Sequence, residues 1–155
     1  MLLCGTNNFG VNQSDGGKVR CDLGAHCPPK DVAAGIRAIA QVFRRQLPQT
    51  IVIMMGILPV AQKTKWARCQ LVNAINAALA YNGDEVVFMD VRDKFLLPDG
   101  TIDKLLFTDS THLTPVGYKV WAKSIDPIIS KMTKAPSLDP VKIMLVGGSI
   151  TEGRS

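Results

Sequence analysis

Residues 51–60 read "IVIMMGILPV". Five consecutive apolar residues, Ile51 to Met55, run without a polar interruption and stop at Gly56. A strand with one wet face alternates apolar and polar residues, whereas a strand covered on both faces has no need to. The stretch therefore reads as a central strand of a parallel sheet. Other segments repeat the theme. "MLLC" (1–4) is a short apolar run stopped by Gly5, "VVFMD" (86–90) reads as another buried strand, and "VKIMLV" (141–146) as the last one. Helical patterns alternate with these runs. Asp31 can cap a helix whose Val32, Ile36, Ile39, Phe43 and Leu47 fall at helical spacing, with Pro48 after it. A second helix, over about 64–82, carries Val72, Ile75 and Leu79 and ends near Asn82-Gly83. Thr114-Pro115 opens a third with a cap and a first-turn proline. Its apolar face holds Val116, Val120, Trp121, Ile125, Ile128 and Ile129, and Pro127 predicts a kink or an early end. "LPDG" (97–100) is a turn, residues 9–30 form a long Gly/Asn/Asp/Pro-rich loop, and "TKAPSLDP" (133–140) reads as a linker. The expected class is α/β, three layers with a mostly parallel sheet between helices.

With 155 residues, 46% hydrophobic and 20% charged, the chain has the size of one domain and an ordinary globular composition. No apolar run approaches the ~18 residues that cross a bilayer. The opening Met1–Gly5 lacks the charged region and long apolar core of a signal peptide and reads as the tail of a strand. The net charge of +5 is scattered. Lys63, Lys65 and Arg68 form a local cluster without an aromatic platform, so a solvated helix face is expected and no nucleic-acid partner. Cys21 and Cys27 share one loop with His26. The spacing is not a zinc pattern and a fourth ligand is missing, so no metal is expected, while an oxidising compartment would permit a Cys21–Cys27 disulfide without requiring it. Cys4 and Cys69 read as small buried apolar residues.

In open parallel sheets, sites gather at the carboxyl ends of the strands. "MLLC" leads into Gly5-Thr6-Asn7-Asn8, "VVFMD" ends in Asp90, and "VKIMLV" leads into Gly147-Gly148-Ser149. The loop "FTDSTHLTP" places Asp109 three residues before His112, a spacing that lets a carboxylate reach the imidazole Nδ1. Each signal alone has a bland explanation: a capping Asp beside a surface His, a turn-forming Asn, a glycine turn. Together they are the parts of acyl transfer. Ser149 would attack, His112 would take its proton, Asp109 would orient the ring, and Asn7 with the Ser149 N–H would hold the oxyanion, on turns shaped by Gly5, Gly147 and Gly148. A phosphate nest at "GGSITEG" is the rival reading, but the P-loop lysine and the third glycine of a dinucleotide loop are absent.

These blocks resemble the SGNH (GDSL-type) hydrolase family. "VGGSITEG" resembles its first block, with the nucleophile at Ser149. "GTNN" resembles its third block, with the oxyanion asparagine at Asn7. "DSTHLTPVGY" resembles its fifth, giving Asp109 and His112. The text between is similar to the catalytic subunits of intracellular platelet-activating-factor acetylhydrolases, and the final turn to carbohydrate acetyl esterases. The resemblance implies a flavodoxin-like sheet and a cofactor-free serine esterase. It would remove acetyl or short acyl groups from small-molecule or carbohydrate esters. The chain departs from the pattern in several ways. Gly148 stands where Asp is usual, and Asn8 replaces the Asp of the third block. The serine block comes last, the block supplying an oxyanion glycine has no counterpart, and four strands are found where the family has about five. Two arrangements account for this. In a circular permutant, the serine strand re-enters the same sheet, and the eight linker residues span up to ~26 Å at ~3.3 Å each. In a window from a tandem protein, 1–132 is the back of one domain and 141–155 the start of the next; the missing middle and the mid-strand start favour this one. The latter leaves a catalytically incomplete SGNH-like unit as the alternative function. The compartment stays open, since a disulfide points to secretion and the acetylhydrolase branch is intracellular. An incomplete sheet edge would invite self-association.

Overall fold

The apolar runs pair as one parallel sheet. In the computed structural model, which describes residues 1–9, 27–78, 86–133 and 143–147, the strands are β1 (Leu2–Leu3), β2 (Val52–Met55), β3 (Val86–Met89) and β4 (Val146–Gly147). Their order across the sheet is β3-β2-β1-β4, with every pairing parallel. Helices α1 (Pro29–Gln46), α2 (Lys63–Ala78) and α3 (Pro115–Thr133) cover it. Successive strand residues point to opposite faces, so each strand feeds two cores. Leu2, Val52 and Met54 pack with Val32, Ala33, Ile36 and Ala40 of α1 and with Trp66, Cys69 and Val72 of α2. Leu3, Ile53 and Met55 pack on the other face with Phe95, Leu106, Phe107, Leu113 and with Trp121 and Ile125 of α3. This is the expected α/β/α sandwich.

The connections set where a site can form. From β1 the chain steps outward through α1 to β2 and through α2 to β3. It then returns to the opposite side of β1, with α3 on the other face. The direction of winding reverses between β1 and β4, and a crevice opens at the carboxyl ends of strands where such a reversal occurs. The register Leu3↔Gly147 brings the ends of β1 and β4 level.

Several local expectations are corrected. Helix α1 begins earlier, at Pro29, with Pro28 before it and Asp31 inside the first turn, where its charge faces the helix N-terminus. Ile39 is exposed, because α1 uses a narrower stripe against the sheet; Leu47 lies just past the end of α1 and is exposed; and Ile51, expected to open the buried strand, is exposed and precedes β2. Val116 is exposed too, since it sits in the first turn of α3 on the side away from Leu113 and Trp121. Pro127 does not end α3, which continues to Thr133; the proline lies on the exposed side, where a carbonyl deprived of its donor meets water. Strand β3 is half-buried because it is an edge of the sheet. The last strand is confined to Val146–Gly147, and Ile143, Met144 and Leu145 before it are exposed. The Cys21–Cys27 pairing, the end of the second helix beyond Ala78 and residues 134–140 of the linker fall outside the described residues. No helix among the described residues is long and apolar enough to cross a membrane.

The start of α3 is held by close backbone contact. Thr114 Oγ1 accepts from the Gly117 N–H at 3.0 Å, and the Thr114 N–H donates to Leu106 O at 2.9 Å. A Cβ at Gly117 would lie 2.2 Å from that same carbonyl oxygen. Backbone cannot yield as a flexible side chain can, so Gly117→Ala is expected to destabilise the chain by about 2–3 kcal/mol. Urea unfolding checks this, and an unchanged midpoint would refute the close approach.

Candidate active site

The loop after β1 is shaped by Gly5. Its φ of +114° is a region that L side chains rarely adopt, and a Cβ there would stand 2.8 Å from Ile57 Cδ1. Gly5 O accepts from the Asn8 N–H at 3.2 Å, and Thr6–Phe9 form a single 3₁₀ turn that includes Asn7. Phe9 is buried and anchors this turn. The Arg68 guanidinium lies 5.1 Å from the Phe9 ring centroid and donates to Cys27 O at 3.2 Å. Arg68 is therefore a structural cation, unlike the solvated helix face expected of the Lys63/Lys65/Arg68 cluster.

Asp109 and His112 are brought together as their spacing predicts. His112 Nδ1 lies 2.7 Å from Asp109 Oδ2. The other carboxylate oxygen, Oδ1, accepts from the Thr111 N–H at 2.6 Å and the His112 N–H at 2.7 Å. Thr108 N–H donates to His112 O at 2.8 Å, and an antiparallel bridge between Phe107 and Leu113 closes the base of the loop. Phe107 and Leu113 are buried, so the loop stands on the core while its polar tip stays accessible. The side chain of His112 is 31% exposed and that of Asp109 53%, enough to meet a ligand from solvent.

The charge on Asp109 follows from these contacts. Burial works against it, but the His112 ring and the backbone N–H groups of His112 and Thr111 outweigh that, pulling the carboxyl down to about 2. At neutral pH it is ionised and accepts only, so His112 Nδ1 is the donor. The ring's basic nitrogen is then Nε2, as general-base catalysis requires.

The other proposed residues are distributed as follows. Gly147 ends β4, level with Leu3 and thus beside the strand that leads to Gly5 and Asn7. Gly148 and Ser149 lie outside the described residues. Asp90, at the end of β3, caps its own turn by accepting from the Arg92 N–H at 3.0 Å and pairs with the Arg92 guanidinium at 3.5 Å. Sequence reading overlooked Asn73. It is 1% exposed, accepts from the Ile57 N–H at 2.8 Å and donates to Ile57 O at 3.0 Å. A signal existed. Trp66, Cys69, Asn73 and Asn76 share one helical stripe of α2, and an amide on a core stripe needs buried partners.

The depressed Asp109 carboxyl has a consequence for stability. A carboxyl whose folded value lies below the ordinary 3.8 adds stability above that pH and loses it as pH falls towards about 2. Asp109→Asn is expected to be less stable than wild type at neutral pH, with the gap narrowing as pH falls through that window. Thermal midpoints of both proteins against pH measure it. A gap independent of pH would refute the ionic role.

Known proteins resemble this chain over most of its length. The chain is 29% identical over 120 residues to platelet-activating factor acetylhydrolase IB subunit alpha1 of Homo sapiens, covering 72% of this chain and 52% of the relative. It is 31% identical over 130 residues to the alpha2 subunit of Gallus gallus, covering 83% and 50%. The chain thus spans about half the length of these curated relatives. A solved structure from Streptococcus pneumonia, described provisionally as a platelet activating factor, aligns with a TM-score of 0.63 at 25% identity, covering 83% of this chain and 59% of that one. The sequence model of the GDSL-like Lipase/Acylhydrolase family matches residues 1–120, a span that contains Gly5, Asn7, Asp109 and His112 but not Ser149. The chain belongs to the GDSL-like lipase/acylhydrolase family of ester-cleaving hydrolases.

Proposed function

We propose that this chain is a serine ester hydrolase that removes acetyl or other short acyl groups through an acyl-enzyme. The observation that carries the reading is the 2.7 Å contact between His112 Nδ1 and an ionised Asp109, which assigns the imidazole one tautomer. Its second support is the parallel pairing of β4 with β1. Ser149 follows Gly147 by two residues in the sequence, so on this reading the strand paired with β1 is the one that leads into the serine. On this reading, residues 141–155 supply the serine to the sheet built by 1–132.

The chemistry runs in two displacements. Ser149 Oγ attacks the ester carbonyl as its proton passes to His112 Nε2, and Asp109 stabilises the imidazolium that forms. The carbonyl oxygen, now an oxyanion, is held by the Asn7 amide and the Ser149 N–H. Collapse breaks the C–O bond, and His112 returns the proton to the leaving alcohol. Water then repeats the sequence on the acyl-serine and frees the carboxylic acid. An acetyl or short acyl ester is the proposed substrate class because the relatives are named as acetylhydrolases; the alcohol portion is a small molecule or a carbohydrate.

Hydrolysis of p-nitrophenyl acetate by the 155-residue chain tests this directly. Because no counterpart of the oxyanion glycine block is found, the rate should be lower by ~10²–10³ than with a full set of donors. Ser149→Ala and His112→Ala should each abolish what remains. Turnover retained in either variant would overturn the assignment.

One fact favours a second reading, a catalytically incomplete unit of a longer protein: the chain matches only about half of its relatives' length. The two readings separate on covalent labelling. A fluorophosphonate that labels wild type but not Ser149→Ala supports the enzyme, and an unlabelled wild type supports the incomplete unit.

A further inference from the structure

We infer that Asn73 is a positioning residue for the Asp109–His112 pair, acting from the opposite face of the sheet through the loop that follows β2. The inference rests on the proposed role of that pair and extends it to a residue some forty positions away in sequence.

The loop of residues 56–61 is unusual in being buried over residues 56–60. Ile57, Leu58 and Val60 are each 3% exposed or less, and Pro59 is fully buried as well. A loop in that position must satisfy its backbone polar groups without water. Asn73 does so for Ile57, taking its N–H and its carbonyl with one side-chain amide at 2.8 and 3.0 Å. The amide thereby imitates a neighbouring strand. Gly56 ties the loop to β3 by donating to Met89 O at 2.7 Å, and a Cβ there would lie 3.0 Å from Asp90 Cγ and 3.3 Å from Asn73 Nδ2. At the loop's far end, the exposed Ala61 donates its N–H to Ser110 O at 3.0 Å. Ser110 lies between Asp109 and His112, in the segment whose Thr111 and His112 N–H groups grip the Asp109 carboxylate. A continuous path therefore runs from Asn73 to Ile57, along a packed loop to Ala61, and through Ser110 to the imidazole.

The path matters because the Asp109–His112 loop makes its own internal bonds but needs an external reference to face the crevice. The end of β2 provides one, and Asn73 fixes that end. Removing the amide leaves two buried backbone groups of Ile57 unpaired, which the loop relieves by moving towards water. Ser110 follows its hydrogen bond, and the ring is displaced. Displacements of about 1 Å at a reacting group cost up to ~10²-fold in rate, so kcat should fall ~10- to 100-fold with KM nearly unchanged.

The decisive readout is the ring of His112 by ¹⁵N-edited NMR on the whole chain, assigned by comparison with His112→Gln. In wild type the Nδ1 proton should be observed at low field and the ¹⁵N shifts should report the Nδ1–H tautomer. In Asn73→Ala, with far-UV circular dichroism still native, the proton should be lost to exchange and the tautomers should mix. Val32→Ala, a truncation in the same core that leaves both Asn73–Ile57 hydrogen bonds in place, should keep the signal. The inference is overturned if Asn73→Ala keeps the wild-type signal, if Val32→Ala loses it equally, or if wild type shows no such proton. Should Asn73→Ala fail to fold, Ala61→Pro removes the N–H that holds Ser110, while its ring restricts the backbone at 60 and 61, and an unchanged His112 spectrum there overturns the inference as well. None of these readouts involves Ser149. An inactive wild type with an intact low-field proton would sink the esterase reading while the effect of Asn73 on the ring still stands or falls by its own spectra.

Discussion

Burial of β2 on both faces is the constraint on which the structure depends. Val52, Ile53, Met54 and Met55 are each 7% exposed or less, and they send alternate side chains into two separate cores. A strand so placed requires a neighbour on each side and a helical layer above and below. Those requirements fix β1 and β3 as its partners, α1 and α2 on one face, and α3 on the other. The end of β2 then carries a loop that is itself buried, because Ile57 and Leu58 continue into the same two cores. The packing of this one strand thus extends directly to the rim where the polar residues gather.

The Asp109–His112 loop is built on a different principle. Its geometry is local, since one carboxylate accepts from two backbone N–H groups and from a ring within three residues of it. Such a turn forms wherever its base is clamped, and here the clamp is the Phe107–Leu113 bridge beneath it. Tertiary structure contributes placement. The Ala61–Ser110 hydrogen bond sets the loop beside the end of β2, and the Thr114 cap sets it at the head of α3. The dyad is therefore made by its own sequence and aimed by its surroundings.

The sheet edges carry the consequences of the block order. β3 is half-buried and β4 is two residues long, with exposed Ile143, Met144 and Leu145 leading into it. Even so, β4 takes a parallel register with β1. The short strand that leads into the stretch "GGS" thus lies alongside β1, the strand that leads into "GTNN". Spatial neighbourhood, rather than chain order, is what a crevice at a winding reversal requires.

Much of this was legible in the residues. The apolar run over Val52–Met55 (though not Ile51, which is exposed before the strand), the Thr114-Pro115 helix start and the Asp109/His112 spacing each rest on interactions a few residues apart, so the sequence alone determines them. The same holds for Gly5, whose positive φ answers a turn that "GTNN" announces. Strand order was not legible, nor was the half-burial of β3 or the exposure of Ile39, Val116 and the Ile143–Leu145 run. Each depends on which element lies alongside, and a periodic pattern cannot say that a strand is an edge. Asn73 belongs with these. Its position on a core stripe of α2 is written in the sequence, but its partner, the backbone of Ile57, lies sixteen residues away and meets it only when α2 crosses back over β2. Local hydrogen bonds and apolar periodicity were set by the sequence itself, while the pairings that orient the site arose from long-range packing, where contact is decided by the fold as a whole.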